Sequence, residues 1–210
     1  ELGVLVVSVD YRLAPEHPFP TPLEDTYTGL RWLSDRAEEL GVHTARIAIG
    51  GDSAGGGLAA CLVQLAHDRR EVPVCFQLLV YPMLDDRSVL RVDHAGTGDF
   101  VWNPPSNRFA WTCYLDRPPM ADSAPAYAAA ARRDDLSGLP KAWIGVGELD
   151  LFHAEGIAYA ERLRAAGVDV ELVVVPGMYH GADAIPPAAF APSMVGFNAS
   201  KLDALRSAIG

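Results

Sequence analysis

Three residues in this chain have the types and spacing for acyl-transfer chemistry: Ser53, Asp150 and His180. Ser53 lies in Gly51-Asp52-Ser53-Ala54-Gly55-Gly56-Gly57, which contains the Gly-x-Ser-x-Gly pattern of a nucleophile elbow. Apolar residues 46–50 precede it and read as a short buried strand; residues 58–66 follow as a helix. A serine on a sharp strand-to-helix turn projects its hydroxyl into a cleft. The small neighbours Gly51, Ala54 and Gly55 let the two backbones approach. The first N–H groups of the helix then favour negative charge there.

A serine hydroxyl is a poor nucleophile at neutral pH. It needs a base, and the base needs an orienting acid. Asp150 lies just beyond an apolar run ending at Val146, in Gly147-Glu148-Leu149-Asp150. A carboxylate there can accept from an imidazole Nδ1–H and fix its tautomer. Glu148 is its rival. His180 lies beyond the last apolar run, on the glycine-flanked loop Pro176-Gly177-Met178-Tyr179-His180-Gly181. His17, His43, His67, His94 and His153 are worse placed, in a proline-rich loop, near helix ends, in an insertion, or ahead of the last strand.

The elements that must hold these residues alternate along the chain. Runs at 4–9, 74–80, 142–146 and 170–175 are continuously apolar and rich in β-branched residues, as in strands buried on both faces. Thr21-Pro22-Leu23-Glu24 reads as a helix start with Thr21 as cap, and Leu23, Tyr27, Leu30, Leu33, Ala37 and Leu40 carry the helical stripe to Gly41. Residues 154–166 and 193–208 read as further helices. Residues 83–139 break the rhythm with aromatics and prolines, and read as a mostly helical, cap-like insertion. This pattern predicts an α/β fold, a mostly parallel sheet flanked by helices, as one domain over 1–210. Ligands in such folds bind at the carboxyl ends of the strands.

Composition narrows the classes. Of 210 residues, half are hydrophobic and 21% charged, with a formal net charge of −10. An acidic chain is a poor partner for nucleic acid or an anionic membrane surface. Cys61, Cys75 and Cys113 are odd in number, widely spaced and set among apolar residues. They read as reduced, inert thiols in a cytoplasmic protein. No metal-ligand spacing is present.

Four stretches carry a family resemblance: Asp10-Tyr11-Arg12-Leu13-Ala14-Pro15-Glu16-His17-Pro18-Phe19-Pro20, the serine elbow, Asp150-Leu151-Phe152, and Gly177-Met178-Tyr179-His180-Gly181. The chain resembles the hormone-sensitive-lipase-like esterases of the α/β-hydrolase fold. That fold has the order nucleophile, acid, histidine, as found here. The resemblance implies that Ser53, Asp150 and His180 are nucleophile, acid and base. It implies hydrolysis of small carboxylic esters with short or medium acyl chains, without a cofactor. The insertion would then cap the pocket, with Trp102, Phe109 and Trp111 lining it; core packing is the alternative for these aromatics. Asp52 reads as a structural acid or a pocket group. Oligomeric state stays open, a homodimer among the options.

The chain departs from the family in two places. His153-Ala154-Glu155 stands where the family often has Arg-Asp-Glu. The family's His-Gly-Gly-Gly loop, whose N–H groups join that of Ala54 in the oxyanion hole, does not occur in the sequence. The expectation is an N-terminally truncated fold, its first strands missing; the alternative is a sheet that has re-paired. A non-catalytic ligand-binding relative, an inactive fragment and an amidase or peptidase are the competing functions.

Overall fold

A computed structural model describes residues 2–210. Four strands form one parallel sheet in the order β1 (Ala48–Asp52), β2 (Phe76–Val80), β3 (Lys141–Gly147) and β4 (Val170–Val175). Their registers pair Ala48 with Phe76, Phe76 with Lys141, and Ala142 with Val170. All four carboxyl ends therefore lie on one edge. Each strand is a short run that is wholly or partly buried, which fits a sheet covered by helices on both faces.

The described residues form six α-helices: α1 (Thr21–Asp35), α2 (Ala37–Leu40), α3 (Ala54–Arg69), α4 (Pro104–Leu115), α5 (His153–Ala165) and α6 (Pro192–Ile209). Leu30, Ala60, Val63 and Leu163 from α1, α3 and α5 share one core with Ile49, Leu79 and Ile144. On the opposite face Met194, Phe197 and Ala204 of α6 pack with Phe76, Trp143 and Val175. No helix among the described residues is long and apolar enough to cross a membrane.

The structure differs from the sequence expectations in three places. Residues 4–9 form no strand. They run without ladder partners, and Val6 is 78% exposed. Apolar β-branched residues favour a strand, but a strand exists only by pairing, and pairing is non-local. A groove of about 750 Å³ lined by Val4, Leu5, Val6 and Val7 also meets Ile47 and, at the edge of β1, Ile49 and Gly50. The sheet has not re-paired there. Second, Thr21 is already helical and makes no cap bond; Pro20 occupies the cap, and Glu24 instead pairs with Arg69 at 2.8 Å. The stripe also breaks at Arg36, and α2 ends at Gly41 with φ +67. Third, residues 83–139 are less helical than their composition suggests. They hold α4, two short 3-10 turns (Asp86–Leu90 and Ala130–Arg132) and much irregular chain.

Polar ties hold that irregular segment in place. Arg132 grips the buried Asp86 with two bonds of 2.7 and 2.9 Å. Asn107 of α4 donates to Ser88 at 2.9 Å. Helix α4 starts with Asn103 accepting from Ser106 N–H and Pro104 at the first helical position, both strong start signals.

Candidate active site

The serine turn is built by close backbone approach. Ser53 has φ 57 and ψ −120, a conformation L-residues rarely adopt, and such strain clusters at functional sites. The surroundings enforce it. Ser53 N–H donates to Val80 O at 2.9 Å, and Ser53 O accepts from Met83 N–H and Gly57 N–H, both at 3.0 Å. A Cβ on Gly51 would overlap the Gly55 carbonyl, and one on Gly57 would overlap the Met83 carbonyl. Only glycine lets α3 sit this close to β1 and to the chain leaving β2.

The acid and histidine loops are tied to each other in the same way. Glu148 N–H donates to Val175 O at 3.0 Å and Leu149 N–H to Met178 O at 2.9 Å. Glu148, the rival acid, is occupied elsewhere: its Oε2 accepts from Gly177 N–H at 3.0 Å. Gly177 and Gly181 take positive φ on either side of His180, at +67 and +73. Asp150 is fully buried, with Oδ1 accepting from Phe152 N–H at 2.8 Å.

Ser53, His180 and Asp150 come together. Ser53 Oγ lies 2.8 Å from His180 Nε2, and His180 Nδ1 lies 2.8 Å from Asp150 Oδ2. With Nδ1–H donating to the carboxylate, Nε2 is left as the acceptor for the serine proton. The imidazole is only 6% exposed. Tyr81 packs edge-on against it at 4.7 Å and Phe152 at 5.3 Å, while Trp102 lies tilted at 6.2 Å.

Beside the elbow is an open cavity of about 690 Å³. Ala54, Met83, Trp102, Phe109, Trp111 and Tyr114 line it. The three candidate aromatics thus all face it. Trp111, 2% exposed, is also core, packed with Met83, Leu115 and Phe152; Phe109 is 69% exposed. Asp52 does not line this cavity. Successive residues of a strand point to opposite sides, and burial raises the pKa of the Asp52 carboxyl, with Lys201 opposing that rise and Asp183 adding to it.

Sequence reasoning did not single out Tyr81, Phe152 or the buried carboxyl of Glu155 as parts of this site. Glu155 stands in the first turn of α5, and its Oε1 accepts from Leu84 N–H at 2.7 Å. That bond ties the acid loop to the chain leaving β2. Burial pushes the carboxyl up to about 8, against the opposing pull of the Leu84 bond, and Oε2 has no partner. A carboxyl with a raised folded pKa favours folding while it is protonated. Its contribution is full below about 4.5 and is lost as pH rises towards about 8. Glu155→Gln keeps an acceptor for Leu84 and removes the titration. Between pH 6 and 9 the wild-type melting temperature should fall about 5–10 °C further than that of Glu155→Gln. Parallel melting curves across that range would refute the assignment.

Known proteins resemble this chain in sequence and in fold. A family profile for the alpha/beta hydrolase fold matches residues 1–184. The chain belongs to the hormone-sensitive-lipase-like family of α/β-hydrolases. It is 43% identical over 180 residues to "Carboxylesterase NlhH" of Mycobacterium tuberculosis, covering 84% of this chain and 56% of that protein. Over 183 residues it is 36% identical to "Ethyl acetate hydrolase" of Pseudomonas putida, covering 86% of this chain and 56% of that one. Among solved structures, "Bacterial Heroin Esterase" superposes with a TM-score of 0.93 at 43% identity, covering 100% of this chain and 66% of that one. This α/β-hydrolase chain spans little more than half the length of those curated relatives.

Proposed function

We propose that this chain carries the catalytic residues of a serine carboxylesterase acting on small carboxylic esters with short to medium acyl groups. The observation that carries the reading is the pair of 2.8 Å hydrogen bonds linking Ser53, His180 and Asp150. His180 Nε2 takes the Ser53 proton as Oγ attacks the ester carbonyl. The Asp150 carboxylate stabilises the imidazolium so formed. The tetrahedral intermediate places its oxyanion at the N-terminus of α3, where Ala54 N–H donates. His180 then protonates the departing alcohol. Water, deprotonated by His180, attacks the acyl-enzyme and releases the carboxylic acid.

The apolar cavity next to Ala54 supports a hydrocarbon group on one side of the scissile bond, with Trp102, Phe109 and Trp111 as its walls. The sequence holds no His-Gly-Gly-Gly, so within these residues the oxyanion rests on the α3 terminus. One missing donor typically costs about 10²–10³ in turnover. The names of the relatives, carboxylesterase and ethyl acetate hydrolase, support the same reaction class. The test is turnover of p-nitrophenyl butyrate that disappears on substitution of Ser53. Turnover that survives that substitution would refute the reading.

A further inference from the structure

Helix α6 carries a lysine in its buried stripe. Met194, Phe197 and Ala204 are buried, and Lys201 falls between them at helical spacing. Its Nζ lies 5.1 Å from the centre of the Phe197 ring and 2.7 Å from Asp183 Oδ2. Both side chains are largely buried, 17% exposed for Lys201 and 5% for Asp183. Asp183 Oδ1 has no partner. A buried ion pair is weak evidence for stability, because an apolar pair of the same volume often does as well. Its place in the fold offers a better reason.

Asp183 lies three residues after His180, on the loop between β4 and α6. Two short turns join them, Ala182 N–H to Tyr179 O at 3.2 Å and Ala184 N–H to Gly181 O at 3.1 Å. Asn198 of α6 also reaches Asp183 O at 3.4 Å. Across the loop, the Tyr81 ring packs on the imidazole at 4.7 Å, and burial, then the Asp183 carboxylate, raise the pKa of its phenol. The acid loop ties this loop at Gly177 and Met178, ahead of His180, and the Asp183 contacts tie it to α6 beyond His180.

We propose that Asp183 and Lys201 are positioning residues for His180, fixing its loop to α6 and balancing charge beside the imidazole. The proposal rests on the reading of Ser53, His180 and Asp150 as the catalytic set. The ionisable groups linked to His180, directly or through a neighbour, are Asp150, which bonds Nδ1, Tyr81, whose ring packs on the imidazole, Asp52 at the end of β1, Asp183 on the same loop, and Lys201 on α6, which bonds Asp183. Lys201 is the cation of this group, and it offsets Asp183.

The experiment is the pH profile of kcat/KM for p-nitrophenyl butyrate. Lys201→Met leaves an unbalanced carboxylate that favours imidazolium, so the acid limb should move up by about half a pH unit. Asp183→Asn leaves an unbalanced ammonium, and the limb should move down by a similar amount. The double variant should return to the wild-type limb while keeping a reduced kcat from the loosened loop. Lys201→Arg, which retains the charge, should keep the wild-type limb. A purely structural pair would lower activity without opposite shifts. Limbs that stay put, or that move the same way in both single variants, would overturn the proposal. Activity that persists in Ser53→Ala would instead overturn the catalytic reading on which it rests.

Discussion

Replacing Ser53 or His180 with alanine should each lower kcat for p-nitrophenyl butyrate by about 10⁵–10⁶-fold, and the double variant should be little worse than either. The non-additivity is the informative part. Ser53 Oγ and His180 Nε2 share one hydrogen bond of 2.8 Å, so either loss removes the same step. What remains is binding in the cavity and the field of the α3 terminus, which need neither side chain. KM should change much less than kcat, because the cavity walls at Trp102, Phe109 and Trp111 are untouched. Steady-state kinetics with matched melting curves reads both numbers. A loss below tenfold in a single variant would remove that residue from the chemistry, and losses that multiply in the double would contradict a shared step.

Asp150→Asn should cost about 10⁴ in kcat with the fold preserved. The carboxylate Oδ2 accepts from His180 Nδ1 at 2.8 Å, while Oδ1 holds Phe152 N–H at 2.8 Å. An asparagine can keep the second bond with its carbonyl. Its amide then faces Nδ1 as a donor, which leaves the proton on Nε2 and removes the acceptor that Ser53 needs. Asp150→Ala should lose a similar activity and also stability, since Phe152 N–H begins α5 with no partner. Glu148→Gln is the contrast. Glu148 binds Gly177 N–H and does not touch the imidazole, so its variant should fall far less. Equal losses at positions 148 and 150 would contradict the assigned acid.

Much of this site was legible in the sequence because each part depends on local chemistry. The glycines around Ser53 report a close backbone crossing, and a loop just past an apolar run reports a strand's carboxyl end. The strand at 170–175 coincides with β4 because its run of valines meets a partner, β3, that lies beside it. Residues 4–9 carry an equally apolar run and form no strand because they pair with no neighbour, and composition does not reveal whether a neighbour is present. Helix α1 is readable from its stripe, but it starts one residue earlier than a Thr21 cap implies, with Pro20 at the cap position and no side-chain cap bond. Asp52 shows the limit for single residues: adjacency to Ser53 along the chain did not bring it to the cavity. Glu155 and Lys201 were illegible for a further reason. A charged residue in a helical pattern reads as a solvated face, and only distant partners, Leu84 and Asp183, show that these two are buried.

The central claim is that Ser53, activated by His180, forms a covalent bond to substrate. The most direct measurement is intact and peptide mass after treatment with a fluorophosphonate, whose fluoride is displaced by the attacking serine oxygen. One adduct per chain is expected, on the peptide carrying Ser53, with none in Ser53→Ala and greatly slowed formation in His180→Ala. An adduct elsewhere, or a Ser53 peptide that stays unmodified while ester turnover continues, would contradict the account.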